Sequence, residues 1–241
     1  MVSILNGTQD DELNNGLQPF LVELVGPAGA GKTSLSRALA QCSEEVVEET
    51  TLAGRKIANI PFFARNSLLL LPTFFRQYRN GKRFTRDEMI MALHLMGWQH
   101  VLKRPAPKRK IVILDHGPVF MLTWLRCFGI DNLRSQSFDK WWEASLKRWS
   151  YALDMVIWLD APNAILFQRI HARDSWHLLK ELSEESGDEF LARYRKSYEI
   201  TLAALMANHR VSLVRFDTDQ ESPNQITNRV LAEINLGYEQ G

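Results

Sequence analysis

Residues 21–40 read LVELVGPAGAGKTSLSRALA, and the fold follows from how that stretch divides. With Phe20 in front, LVELV is a short apolar run rich in branched residues, which predicts a buried strand. GPAGAG predicts a turn, and KTSLSRALAQC repeats apolar residues at helical spacing. Across the junction, Gly26 to Thr33 satisfies G-x-x-x-x-G-K-[ST] at every fixed position. Glycines let the backbone curl so that successive N–H groups face one anion, and the helix N-terminus adds partial positive charge. Gly26, Pro27, Ala28, Gly29, Ala30, Gly31, Lys32, Thr33 and Ser34 are therefore the candidate triphosphate-binding set. Lys32 reaches the terminal phosphates, and the Thr33 hydroxyl ligates the magnesium ion that bridges them. A glycine-rich turn that only linked strand to helix would need neither side chain.

The rest of the chain fits a frame around this loop. At 241 residues, one substantial domain over residues 19–241 is expected, behind a polar, disordered lead-in at 1–18. KIVILD (110–115), DMVIWLD (154–160) and VSLVRFD (211–217) predict further buried strands, and EEVVEE (44–49) a short one. Helical patterns separate them: a long insertion at 51–109, an aromatic stretch at 117–151, APNAILFQRIHARD (161–174), residues 188–209 and a closing helix at 223–236. Alternating strands and helices imply a mainly parallel sheet covered on both faces.

Lys and Arg total 29 against 28 Asp and Glu, so no global field draws this chain to nucleic acid or an anionic membrane. Cys42 and Cys127 have neither metal-ligand spacing nor a disulfide framework, which points to a reducing, cytoplasmic setting. The start lacks the basic-then-apolar pattern of a signal peptide, and no apolar window reaches the length of a bilayer span.

A nucleotide-bound magnesium usually needs an acid at the end of a neighbouring strand, and Asp115 stands there after KIVIL. Asp115 is a candidate for the metal or for the proton of an attacking hydroxyl; capping the following helix is the structural alternative. In the insertion Arg65, Arg76, Arg79 and Arg83 punctuate apolar helices, with Arg65 singled out for an anionic acceptor. The tryptophans, Trp98 and Trp124 among them, read mainly as core.

The phosphate loop resembles that of the P-loop NTPase superfamily, and further segments resemble its thymidylate kinase and deoxynucleoside kinase group. VILDHGPVF (112–120) is similar to the aspartate-arginine segment of thymidylate kinases, except that His116 stands where those families carry a substrate-holding arginine. VVEET (46–50) is similar to the end of a strand whose glutamate is a general base in deoxynucleoside kinases, which would make Glu49, or its neighbour Glu48, that base. DMVIWLDAPNAILFQRIHARD (154–174) resembles the strand and helix leading into a lid, and Arg169 and Arg173 match its paired arginines. At i and i+4 they would share a helical face and close over a triphosphate; ordinary pairing with Asp174 or Glu181 is the alternative. Asp160 reads as a structural turn residue. GDEFLARYRKSYEITLAAL (187–205) matches the helix after the lid in the spacing of Arg195 and Tyr198.

The resemblance implies a three-layer α/β/α fold with a mainly parallel five-stranded sheet, a helical acceptor-side insertion at 51–109 and a lid at 173–187. It implies ATP and Mg²⁺ as cofactors, a small acceptor such as a nucleoside or nucleotide, and Lys32, Asp115, Glu49, Arg169 and Arg173 as catalytic residues, with His116 toward the acceptor; the resemblance leaves 51–109 unmatched, so Arg65 is an acceptor candidate by its residue type alone. A kinase for a non-nucleotide acceptor, or an ATP-dependent switch, are the rival readings. No N-K-x-D guanine-reading motif is present. Oligomeric state is left open.

Overall fold

The computed structural model describes residues 18–42, 44–49, 91, 95, 110–129, 136–207 and 210–239. Residues 1–17 of the lead-in and all of the insertion except Met91 and Leu95 lie outside the described residues, Arg65, Arg76, Arg79, Arg83 and Trp98 among them. So do the side chains of Glu48 and Glu49.

Five strands form one wholly parallel sheet: β1 (Phe20–Val25), β2 (Val46–Glu49), β3 (Ile111–Leu114), β4 (Met155–Asp160) and β5 (Ser212–Asp217), in the order β2-β3-β1-β4-β5. A parallel sheet is covered on both faces, which is why its inner strands are nearly continuous apolar runs. Alternate residues of each strand feed two separate cores. Leu21, Val25, Val112, Val156 and Trp158 pack on one side, and Val22, Leu24, Ile113, Ile157 and Leu159 on the other.

The first side is covered by α2 (Pro118–Phe128), α3 (Gln136–Ser150) and α5 (Glu184–Met206). Tyr194, Tyr198, Leu202 and Leu205 recur at helical spacing along α5 and meet Val119, Leu122 and Leu125 of α2. Trp142, Trp149 and Trp158 are buried here, and the Trp142 indole N–H donates to the Leu122 carbonyl at 3.0 Å. The second side takes α1 (Lys32–Cys42), α4 (Asn163–His171) and α6 (Pro223–Glu239), through Leu35, Leu39, Leu166, Ile170, Ile226 and Val230. Cys127 is buried and Cys42 exposed, both free. Among the described residues no helix is long and apolar enough to cross a membrane.

Three boundaries differ from the sequence reading. The aromatic stretch at 117–151 holds two helices, since α2 ends at Phe128, with Gly129 as its C-cap, and α3 begins at Gln136. α5 starts at Glu184, inside the segment read as lid, because the Ser183 hydroxyl accepts from the Ser186 N–H and Glu184 and Glu185 suit the first turn. α4 ends at His171, so Arg173 lies beyond it. Across the corner between β4 and α4, Arg195 grips both oxygens of Asp160 at 2.8 and 2.9 Å, and also Asn163 Oδ1 and the Ala161 carbonyl. Asp160 thus fastens α5 to the sheet.

Candidate functional site

β1 runs straight into the phosphate loop, and three glycines there hold positive φ: Gly26 at 135°, Gly29 at 86° and Gly31 at 91°. Only glycine adopts such angles without strain. At Gly26 and Gly29 the neighbours also forbid a side chain, because a Cβ would lie 1.9 Å from the Leu159 carbonyl oxygen or 2.9 Å from that of Leu166. The loop is therefore seated on β4 and α4. Lys32, the first residue of α1, turns its ammonium back onto the carbonyls of Gly26 and Pro27 at 2.7 and 2.9 Å. Burial pulls this lysine down to about 8, while Asp115 and Asp160 pull the other way. The N–H groups opening α1 have no partner within the helix and are free to receive an anion.

Asp115 leaves the end of β3 and is buried, with 3% of its surface exposed. One oxygen, Oδ2, accepts from the Thr33 hydroxyl at 2.9 Å. The other, Oδ1, is buried and finds no hydrogen-bond partner among the described residues. A hydroxyl beside a carboxylate with one uncommitted oxygen is a hard-oxygen pair that suits magnesium, which completes its shell with phosphate oxygens and water. Thr33 and Asp115 are thus brought together as the spacing suggested. The helix-cap alternative for Asp115 does not hold, because α2 has no local side-chain cap and Gly117 occupies its N-cap position. Glu49 closes β2 with its backbone in register with Leu114, the residue before Asp115. His116 is partly open to solvent and partly covered, its ring edge-on to Phe120 at 4.7 Å and 82°. Desolvation holds its imidazole below the ordinary histidine value, against the pull of Asp115.

Glu23 is the residue that sequence reasoning missed. It sits on the central strand, fully buried, and accepts from the backbone N–H groups of Val119 and Phe120 at 2.9 and 2.8 Å. These are the second and third residues of α2, whose first, Pro118, has no N–H to offer. Burial pushes the carboxyl up to about 8 from 4.5, opposed by those two N–H groups. Between these two values the folded chain carries one proton more than the unfolded chain. The contribution of Glu23 to stability is therefore full below 4.5 and is lost as pH rises through about 8. Chemical denaturation of wild type and Glu23→Gln from about pH 5 to about pH 9 is expected to give a stability difference that moves against wild type as pH rises. A flat difference would mean that the carboxyl does not titrate in that window.

The two candidate lid arginines do not act as a helical pair, since α4 ends between them. The Arg169 guanidinium is committed to the Thr218 hydroxyl at 2.8 Å, the Thr218 carbonyl at 2.9 Å and the Gly29 carbonyl at 3.4 Å. It walls a cavity of about 380 Å³ together with Gly31, Ser34, Arg173 and Thr218. Neither Asp174 nor Glu181 pairs with Arg169 or Arg173 among the described ion pairs. Arg173 is exposed, at the start of the non-helical segment 172–177. A short 3₁₀ turn, Leu178–Lys180, follows, capped by His177 Nδ1, which accepts from the Leu179 N–H at 3.2 Å. That bond places the proton of a neutral His177 on Nε2. Desolvation holds its imidazole below the ordinary value, helped by the positive charges of Arg173, Lys32 and Lys180. Lys180 donates to the Arg173 carbonyl. Trp176, 71% exposed, is tied to Glu181 by its indole N–H. Nothing in DSWHLLKE announces that His177 feels the charge of the phosphate-loop lysine, because the contact is distant in sequence.

No protein-family model matches this sequence, and comparison with curated proteins finds no relative by sequence. Solved structures do match. Deoxyadenosine kinase from M. mycoides with bound dCTP superposes with a TM-score of 0.53 at 12% identity, over 90% of this chain and 99% of that one. The same enzyme with bound dATP gives 0.51 at 17% identity, over 90% and 100%. Thymidylate kinase from Candida albicans gives 0.56 at 12% identity, over 93% and 94%. Likenesses at such identities speak for the fold, and the fold of this chain is the P-loop α/β fold that those nucleoside and nucleotide kinases share.

Proposed function

We propose that this protein is an ATP-dependent phosphotransferase that moves the γ-phosphoryl group to a small acceptor of the nucleoside or nucleotide class. The observation that carries the reading is the Thr33–Asp115 contact at 2.9 Å, with the second Asp115 oxygen uncommitted beside the phosphate loop. In this reading Thr33 and Asp115 would hold magnesium, which would supply positive charge to offset that of the phosphates. Lys32 leaves the Gly26 and Pro27 carbonyls for the phosphates, and its ammonium follows the charge that shifts during transfer. The base of ATP occupies the cavity beside α1, against the guanidinium that Thr218 holds flat. Arg173, which also lines that cavity, supplies a further cationic donor.

The acceptor enters at the end of β3, where Glu49 is the proposed base. His116 refines its class. An imidazole offers a single N–H where a guanidinium offers a rigid fork that matches a phosphate, so a hydroxyl-bearing acceptor without a phosphate fits position 116 best. The names of the structural neighbours, which include a deoxyadenosine kinase, agree with an acceptor of that kind.

Labelled γ-phosphate supplied as ATP·Mg, with a panel of nucleosides, nucleoside monophosphates and small alcohols, tests the reading. Label is expected on a nucleoside; tight ATP binding with slow hydrolysis and no transfer to any acceptor would make the protein a nucleotide-dependent switch instead. Asp115→Asn is expected to raise the magnesium concentration needed for half-maximal rate by about 10–100-fold and to leave acceptor KM within about threefold. A change confined to acceptor KM would move Asp115 from the metal to the acceptor.

A further inference from the structure

Glu23 is an expensive way to start a helix. A carboxyl on the central strand of a parallel sheet is fully desolvated, whereas a serine or aspartate at position 117 would cap α2 locally. Position 117 is instead glycine, and a Cβ there would lie 2.5 Å from the Glu23 carboxyl carbon. The cap has been moved from the helix to the strand that feeds the phosphate loop. Glu23 stands three residues before Gly26, and the groups it grips, the N–H of Val119 and of Phe120, follow closely on Asp115 and His116. Phe120 is also the ring against which His116 rests. Two ties therefore join the same two segments: Thr33 to Asp115 after the loop, and Glu23 to α2 before it. With both ends held, the 115–117 turn has no freedom to rotate Asp115 away from Thr33.

We infer that Glu23 is a positioning residue, which holds the 115–117 turn against the phosphate-loop strand so that the uncommitted oxygen of Asp115 stays aimed at the metal side of Thr33. This rests on the assignment of Thr33 and Asp115 to magnesium, and it adds the residue that keeps them aligned. A residue that only stabilised α2 would leave metal-dependent binding unchanged once the helix was capped in another way.

The test uses the full chain and the fluorescent probe mant-ATP, titrated with and without Mg²⁺. In Glu23→Gln, one oxygen remains to accept and the amide replaces the other. The gain in affinity that Mg²⁺ confers on wild type is expected to shrink by about tenfold, with metal-free affinity unchanged within about twofold. The double variant Glu23→Ala/Gly117→Ser restores a local cap without the tie to β1. It is expected to keep α2 protected from hydrogen exchange yet to show the same loss of magnesium gain. A full magnesium gain in either variant overturns the inference. Amide exchange decides the structural half without nucleotide: the peptide spanning 115–121 is expected to exchange about tenfold faster in Glu23→Gln, while α5 is unchanged, and equal rates in that peptide overturn the inference. Should wild type fail to bind mant-ATP at all, the kinase reading falls, and the exchange rates alone judge Glu23.

Discussion

Lys32→Ala is expected to lower phosphoryl transfer by about a thousandfold or more, with the folded state intact. Among the described residues the ammonium donates to the carbonyls of Gly26 and Pro27, and burial already pulls it down to about 8. Removing it therefore relieves a desolvated charge and leaves two carbonyls at the rim of an open loop, a small change for the core. The loss falls on the ligand, because no other cation of α1 stands at the mouth of the loop. Steady-state transfer of labelled phosphate beside a thermal melt separates the two effects. Activity near wild type would remove Lys32 from the chemistry, and a collapsed melting transition would make it a structural residue.

Gly26→Ala is expected to do the reverse and to damage the fold first. At a φ of 135° an added Cβ would stand 1.9 Å from the Leu159 carbonyl oxygen, on a strand paired on both sides. β4 cannot retreat without breaking its pairing to β1 and β5, so the loop must lift off the sheet. Backbone strain adds about 1–3 kcal/mol, and the displaced pairing brings the total above about 4 kcal/mol, a cost few single substitutions reach. Gly31→Ala is the control, since nothing lies within 4 Å of its Cβ and only its φ of 91° is strained. Urea unfolding should find Gly31→Ala milder by at least about 2 kcal/mol. Equal losses at the two positions would mean that conformation alone, and not the contact with β4, sets the requirement for glycine at 26.

Much of the frame was legible because its signals are local. β1, β3 and β4 declare themselves as apolar runs, since strands covered on both faces have no polar side to show. Gly26 to Thr33 reads as a phosphate loop because the backbone geometry it needs is spelled out by residue type. Asp115 could be placed by its position at a strand end, and the structure sets it beside Thr33. What escaped depends on contacts distant in sequence. Glu23 carries no local signal of its role, for its partners lie 96 and 97 residues away. Arg169 and Arg173 have helical spacing, but the helix stops at His171, and Thr218, 49 residues on, claims the first of them. The start of α5 was masked by the run of charge around Ser183, where a cap and a solvated loop have the same composition. Arg65 and the rest of the 51–109 stretch, save Met91 and Leu95, lie outside the described residues.

The exposed indole of Trp176 gives this protein a built-in optical label. Trp142, Trp149 and Trp158 are shielded from water, with exposures of 2%, 1% and 5%, whereas Trp176 is 71% exposed. Its emission therefore falls on the red side of the protein's fluorescence and is open to quenching by iodide, while the three interior rings are screened. Because Trp176 lies between Arg173 and His177, the part of any nucleotide-dependent change in iodide quenching that belongs to it reports the state of that segment, beside the partly buried Trp124 and Trp141. Replacing Trp176 by phenylalanine identifies its share of the signal, and the Glu181 carboxylate that holds the indole N–H is far enough along the chain to be varied separately.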